Sequence, residues 1–263
     1  MIVSVNIMGG LGNQLFQIAA AYAYAKKENG ILQIFKKIDN GNRPTYWDTI
    51  CKKINKYLVS QTPILEHWYE DYPTMYKEIG TLTIRGKHLM GYMQTSKYFY
   101  NFRDEIKELF KQTLPDELKN KYKVLFDNSE RVVVIHARRT DYITSSNVHG
   151  PLNGQYYKDA LKIILEKIEN PIFVLASDDI AFWGEIKNDI EPVFNNYTII
   201  NDTDINTFIL LQQFNNFIMS NSTFIWWVVW LADAKNVIVP SKWFGPDGPS
   251  KYNDIYEDNW IKI

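Results

Sequence analysis

The stretch IVSVNIMGGLGNQLFQIAAAYAYAKKENGILQIF, residues 2–35, changes its hydrophobic period twice, and that constrains the fold more than any other feature of the chain. Residues 2–7 read as a short strand stopped by Met8-Gly9-Gly10. Leu11, Leu15, Ile18, Ala19 and Tyr22 then recur at helical spacing, with Lys26 and Lys27 in the last turn and Gly30 after it. ILQIF at 31–35 reads as the next strand. Strand, helix and strand in so little chain form a βαβ unit, and a βαβ unit implies a parallel sheet.

The second half repeats the alternation. VVVIHA, PIFVLAS, FIMS and NVIVP read as strands. GQYYKDALKIILEKIE, TFILLQQF and SNSTFIWWVVWLADA read as helices between them. Residues 36–80 are broken by Pro44, Pro63 and Pro73 and show no clean period, 81–94 read as extended, and 96–112 as one or two helices. The polar stretch 112–130 is the candidate boundary, giving an α/β domain over 1–120 and a second over 121–263. Trp47 and Trp68, in the aperiodic part, read as core.

A net charge of -1 over 263 residues offers no bulk attraction to nucleic acid or an acidic membrane, so any anion must be held locally. The single cysteine, Cys51, excludes an internal disulfide and reads as a small buried hydrophobe. FIWWVVWLA at 224–232 falls short of the roughly 20 residues of a membrane span. With no basic leader at the start, the expectation is a soluble, cytoplasmic protein without a membrane span.

Four short motifs carry chemistry. GGLGNQ at 9–14 lacks the third glycine of a dinucleotide fingerprint, and Phe35-Lys36-Lys37 lacks its acid, which disfavours NAD. What remains is a glycine-rich turn with open amides and the side chains of Asn13 and Gln14, or simply a tight turn with Asn13 as helix cap. In HARRTDY, two arginines leave the end of a buried strand; one is expected to face a cleft while the other packs or pairs with Asp141. SNST at 220–223 starts an apolar helix, where hydroxyls and amides either cap or hold an anion. Asp202-Thr203-Asp204 spells the D-x-D of some metal sites, but precedes a helical pattern, so Asp204 reads as an N-cap. His67, His88, His136 and His149 are dispersed, and no metal is expected.

Taken in order, GGLGNQLFQIAAAYAYA, GYMQTSKYF, HARRTDY with a later HG at 149–150, and SNSTFIWWVVWL resemble the motifs of family 11 glycosyltransferases, the galactoside α-1,2-fucosyltransferases, from residue 3 to about 243. The resemblance implies a GT-B-type α/β architecture of two facing Rossmann-like domains with parallel sheets. The N-terminal domain would serve the acceptor and the C-terminal domain the GDP-sugar. It implies inverting transfer of L-fucose from GDP-fucose to the 2-hydroxyl of a terminal galactoside, with no metal or other cofactor. By the same resemblance Arg138 would bind the β-phosphate, with His136 against the nucleotide. Ser222 and Thr223 would meet the diphosphate, with Ser220 and Asn221 on the same donor side. Asp178 would approach the guanine, and Gly10, Asn13 and Gln14 would face the cleft. A base for the acceptor hydroxyl would be His149, Asp141, or no residue at all. The chain departs from the pattern at Thr140, where glycine is usual, at Ile225, Val228 and Val229, where serine and two alanines are usual, and at Thr207, where an acid is common. Transfer to another acceptor, as by an O-fucosyltransferase, transfer from another GDP-sugar, and a binding protein without turnover are the rival readings.

Overall fold

A computed structural model describes residues 1–37, 43–61 and 63–263 of the chain. Its contacts divide into two compact units, Met1–Lys111 with Lys251–Glu257, and Gln112–Ser250 with Asp258–Ile263.

The first unit opens with β1 (Ile2–Val5) and α1 (Leu11–Lys27), as the period change predicts. Small side chains let α1 sink almost wholly into the core; Ala19, Ala20 and Ala21 are fully buried. The run 31–35 does not make one strand. It splits into β2 (Ile31–Leu32), which pairs with β1, and β3 (Ile34–Phe35), which pairs with β4 (Leu58–Val59). The unit is completed by β5 (Glu66–Tyr69), β6 (Lys87–Met90) and α2 (Arg103–Phe110). The main sheet has the order β2-β1-β6-β5, and every pairing is parallel. Trp47 and Trp68 are buried, as is Cys51.

The second unit begins with the short helices α3 (Asp116–Lys121) and α4 (Lys123–Phe126). It continues through β7 (Val132–Ala137), α5 (Thr140–Thr144), α6 (Ser146–His149), α7 (Gly154–Leu165), β8 (Ile172–Ser177) and α8 (Phe182–Glu185). It ends with β9 (Tyr197–Ile199), α9 (Asp204–Leu211), β10 (Asn216–Ile218), α10 (Thr223–Leu231), β11 (Asn236–Val239) and β12 (Ile261–Lys262). The sheet is wholly parallel with order β12-β11-β10-β7-β8-β9. Counted from β7, that is the Rossmann order, which reverses between β7 and β10. All of β7 is buried, as expected of a strand covered on both faces. Asn216 starts β10 with its Nδ2 donating to the Val132 carbonyl at 2.9 Å, and its Oδ1 accepting from Asn236 Nδ2 at 2.8 Å. A buried amide so satisfied fixes the register of three adjacent strands. The fold is therefore α/β with parallel sheets. No helix among the described residues is long and apolar enough to cross a membrane.

Candidate active site

Where a doubly wound sheet reverses its strand order, the loops leaving the two neighbouring strands part and open a crevice at their carboxyl ends. Here those strands are β7 and β10, and the loops leaving them are HARRTDY and SNST. Two tyrosines of α7 hold the strand ends. Tyr157 donates its hydroxyl to the His136 carbonyl at 3.2 Å and Tyr156 to the Met219 carbonyl at 2.6 Å.

His136 spans the reversal, with Nδ1 2.8 Å from Ser220 Oγ and its ring stacked on Phe224 at 5.8 Å. Burial pushes its pKa down to about 3, with Asp178 opposing and Arg138 assisting, so the ring is neutral at ordinary pH. It can donate or accept a hydrogen bond but carries no charge for a phosphate.

That charge belongs to Arg138. Its Nε donates to Asp141 Oδ1 at 2.9 Å, its Nη2 lies 2.8 Å from the same oxygen, and its Nη1 lies 3.1 Å from Asp178 Oδ2. Two carboxylates thus hold the guanidinium plane, and each terminal nitrogen keeps a further N–H for a ligand. As expected from sequence, one arginine lines the recess while the other packs, but the Asp141 partner is Arg138, the one in the recess. Arg139 turns inward, 4.0 Å above the Phe182 ring, with Nη1 donating to the Leu152 carbonyl at 3.1 Å.

Asp178 is committed to this loop. It accepts from the Arg139 amide at 2.8 Å and from the Thr140 hydroxyl, besides pairing with Arg138. Thr140, where glycine is usual in the resemblance, supplies a hydroxyl that ties Asp178 to the start of α5. Ile225, Val228 and Val229 are buried in α10.

Ser222 is the N-cap of α10, its Oγ accepting from the Phe224 amide at 3.4 Å. Thr223 is the first residue of the helix. Asn221 is 1% exposed, and its Nδ2 reaches the carbonyls of His149 at 2.6 Å, Trp243 at 2.8 Å and Gly150 at 3.2 Å. Its amide nitrogen is therefore directed at backbone rather than at a ligand. The Asn221 carbonyl accepts from Tyr142 at 2.8 Å, the Tyr142 ring stacks on His149 at 4.5 Å, and the Arg138 guanidinium carbon lies 5.9 Å from the Tyr142 ring centroid. Gly150 has a φ of +60°, and a Cβ there would stand 3.0 Å from the Gly245 amide, so only glycine suits this corner. His149 thus joins the Arg138 cluster. Burial lowers its pKa, with Asp141 opposing and Arg138 assisting, which favours a neutral ring.

The recess beside Arg138 and His136 is also lined by Asp178, Asp202, Thr207 and Phe224. Sequence reading gives no role to Phe224 or Tyr142, although both stand inside the quoted motifs. Thr203, not Asp204, caps α9, its hydroxyl accepting from the Asn206 amide at 3.2 Å. Asp202 pairs with Lys121 at 2.9 Å and accepts from Asn206 Nδ2 at 2.7 Å. Among the described residues no group of three or more His, Cys, Asp or Glu could hold a metal ion.

Gly10, Asn13 and Gln14 belong to the first unit. Gly10, not Asn13, is the N-cap of α1. Gln14 is fully buried, with Nε2 donating to the carbonyls of Gly9 at 2.9 Å and Pro44 at 2.8 Å, so it braces the turn from inside. Asn13 accepts from Gln94 Nε2 at 2.9 Å.

The sequence profile described as glycosyl transferase family 11 matches residues 4–263. An alpha-1,2-colitosyltransferase of Escherichia coli is 26% identical, over 100% of this chain and 99% of its own. A galactoside alpha-(1,2)-fucosyltransferase 2 of Hylobates lar is 26% identical, over 94% of this chain and 73% of its own. Among solved structures, the fucosyltransferase NodZ from Bradyrhizobium superposes with a TM-score of 0.50 at 10% identity, over 88% of this chain and 90% of its own.

Proposed function

The chain belongs to glycosyl transferase family 11, and on that footing we propose that it is an inverting fucosyltransferase moving L-fucose from GDP-fucose to the 2-hydroxyl of a terminal galactoside. The observation that carries the reading is the meeting of Arg138 with His136, Ser220 and the start of α10 at one strand-order reversal.

The chemistry follows from where charge develops. As the C1–O bond of the sugar breaks, negative charge builds on the β-phosphate of GDP and positive charge on the sugar ring. The N–H groups that Arg138 keeps open, and the amide-rich end of α10, are fixed donors for that charge, requiring no metal. Asp141 and Asp178 act through Arg138: they hold its plane before substrate arrives, so little reorganisation accompanies bond breaking. With its oxygens so occupied, Asp178 serves the guanidinium ahead of any guanine. Neutral His136 and the Phe224 ring form the nucleotide-side wall. His149, neutral and stacked beside the cluster, is the acceptor base.

The test is incubation with GDP-fucose and a panel of β-galactosides, reading GDP release and product linkage by NMR. An α-1,2-fucosylated galactoside supports the reading; GDP binding without turnover on any acceptor defeats it. The colitosyltransferase relative favours one second reading, transfer of colitose by the same machinery. Running the GDP-activated colitose donor in parallel separates the two.

A further inference from the structure

In the first unit a half-buried carboxylate stands without a cation. Glu70 follows β5 directly, and among the described residues no ion pair reaches it. It accepts instead from two consecutive amides, Tyr92 N to Oε2 at 2.6 Å and Met93 N to Oε1 at 2.7 Å. Bonds this short to an ionised oxygen are the strong, charge-assisted kind. The chain they grip, GYMQ, leaves the neighbouring strand β6.

Two features show that the grip shapes this loop. Met93 is held at a φ of +50°, a left-handed conformation that a side chain adopts at a cost. A Cβ on Gly91 would lie 2.5 Å from Glu70 Oε2, so only glycine admits so close an approach. The result is carried onward. Gln94, 7% exposed, donates to Asn13 Oδ1 at 2.9 Å on the first turn of α1. The carboxyl ends of β5 and β6 and the start of α1 are therefore tied through one carboxylate, at the edge of a parallel sheet where ligands are received.

We propose that Glu70 is a positioning residue of the transfer: by gripping the Tyr92 and Met93 amides it fixes Gln94 against Asn13, the pair that receives the acceptor galactoside. The assignment rests on the fucosyl-transfer reading. The groups around Glu70 are Asp71, itself paired with Lys77 at 2.8 Å, and Tyr98. Burial first, then Asp71, push the Glu70 pKa up, against the two amides that lower it, to about 7. The grip is thus complete above that pH and lost as a proton occupies an oxygen below it.

The experiment measures acceptor KM, kcat and GDP affinity for wild type, Glu70→Gln and Gln94→Ala between about pH 5.5 and about 8.5. Both variants should raise acceptor KM roughly tenfold at the alkaline end with GDP affinity unchanged. Wild-type acceptor KM should rise on acidification through about 7, and Glu70→Gln should flatten that rise. In labelled wild type, needing no variant, the Tyr92 and Met93 amide resonances should titrate together near the same pH. An active wild type with an indifferent Glu70→Gln, or amides that do not titrate, overturns the positioning role alone. A wild type that transfers no fucose to any galactoside overturns the transfer reading and this assignment with it.

Discussion

At Arg138 the question is why a guanidinium needs two carboxylates. One exposed ion pair contributes about 0–1 kcal/mol, too little to justify such a cluster by stability. Held at Nε, Nη1 and Nη2, the side chain instead loses its freedom in advance and presents N–H groups in fixed directions. A lysine has the charge but neither the plane nor the fork. Arg138→Lys is therefore expected to fold normally and lose about 10²–10³ in kcat, the cost of a preorganised donor of this kind; near-normal turnover of the purified variant would remove Arg138 from the mechanism. His149 gives the pH prediction. Its pKa is lowered by burial, so the basic form persists below the ordinary histidine range and activity should fall only on further acidification. Rates of His149→Ala measured against pH should lack that acid limb, and an unchanged limb would exclude it as base. The sequence named Arg138 and His149 from their motifs, but nothing local could pair Arg138 with Asp178. That contact crosses from β7 to β8 and exists only once the strands are in register.

Among the elements, Asn221 ties together what the recess requires. One side chain fastens the end of α6 and the Trp243 carbonyl to the start of α10, while its own carbonyl receives Tyr142 from α5. Removing it leaves buried carbonyls short of a donor, which costs about 1–3 kcal/mol. Asn221→Ala should lower the unfolding free energy of the second unit, read from its urea transition, by that amount and loosen the His149 loop to hydrogen exchange; unchanged stability would mean that the loops find their own places. Periodicity made the alternating helices and parallel strands legible, most clearly in α7, which buries a face that repeats as the sequence does. It failed at 31–35, where the chain switches sheets after Leu32. It failed again at β5, where Glu66, His67 and Tyr69 are exposed and only Trp68 is buried, so no apolar run announces a strand.

For the whole molecule, the informative segment is the last. Residues 251–257 return to the first unit before β12 completes the sheet of the second. Asp254 anchors that return, pairing with Lys97 at 2.6 Å and accepting from the Tyr76 amide at 2.9 Å. Asp254→Ala is expected to destabilise the first unit by about 1–3 kcal/mol while GDP affinity, assigned to the second, stays unchanged; calorimetry with and without GDP reads both. Such a crossing leaves no local signature, since a polar surface segment looks the same whichever unit receives it.

The most direct measurement is a crystal structure with GDP-fucose or an unreactive analogue bound. The account predicts diphosphate oxygens at roughly 3 Å from both the Arg138 guanidinium and the first-turn amides of α10, with the base beside His136 and Phe224. A diphosphate held away from the β7–β10 reversal, with Arg138 engaged only by its two aspartates, would contradict it.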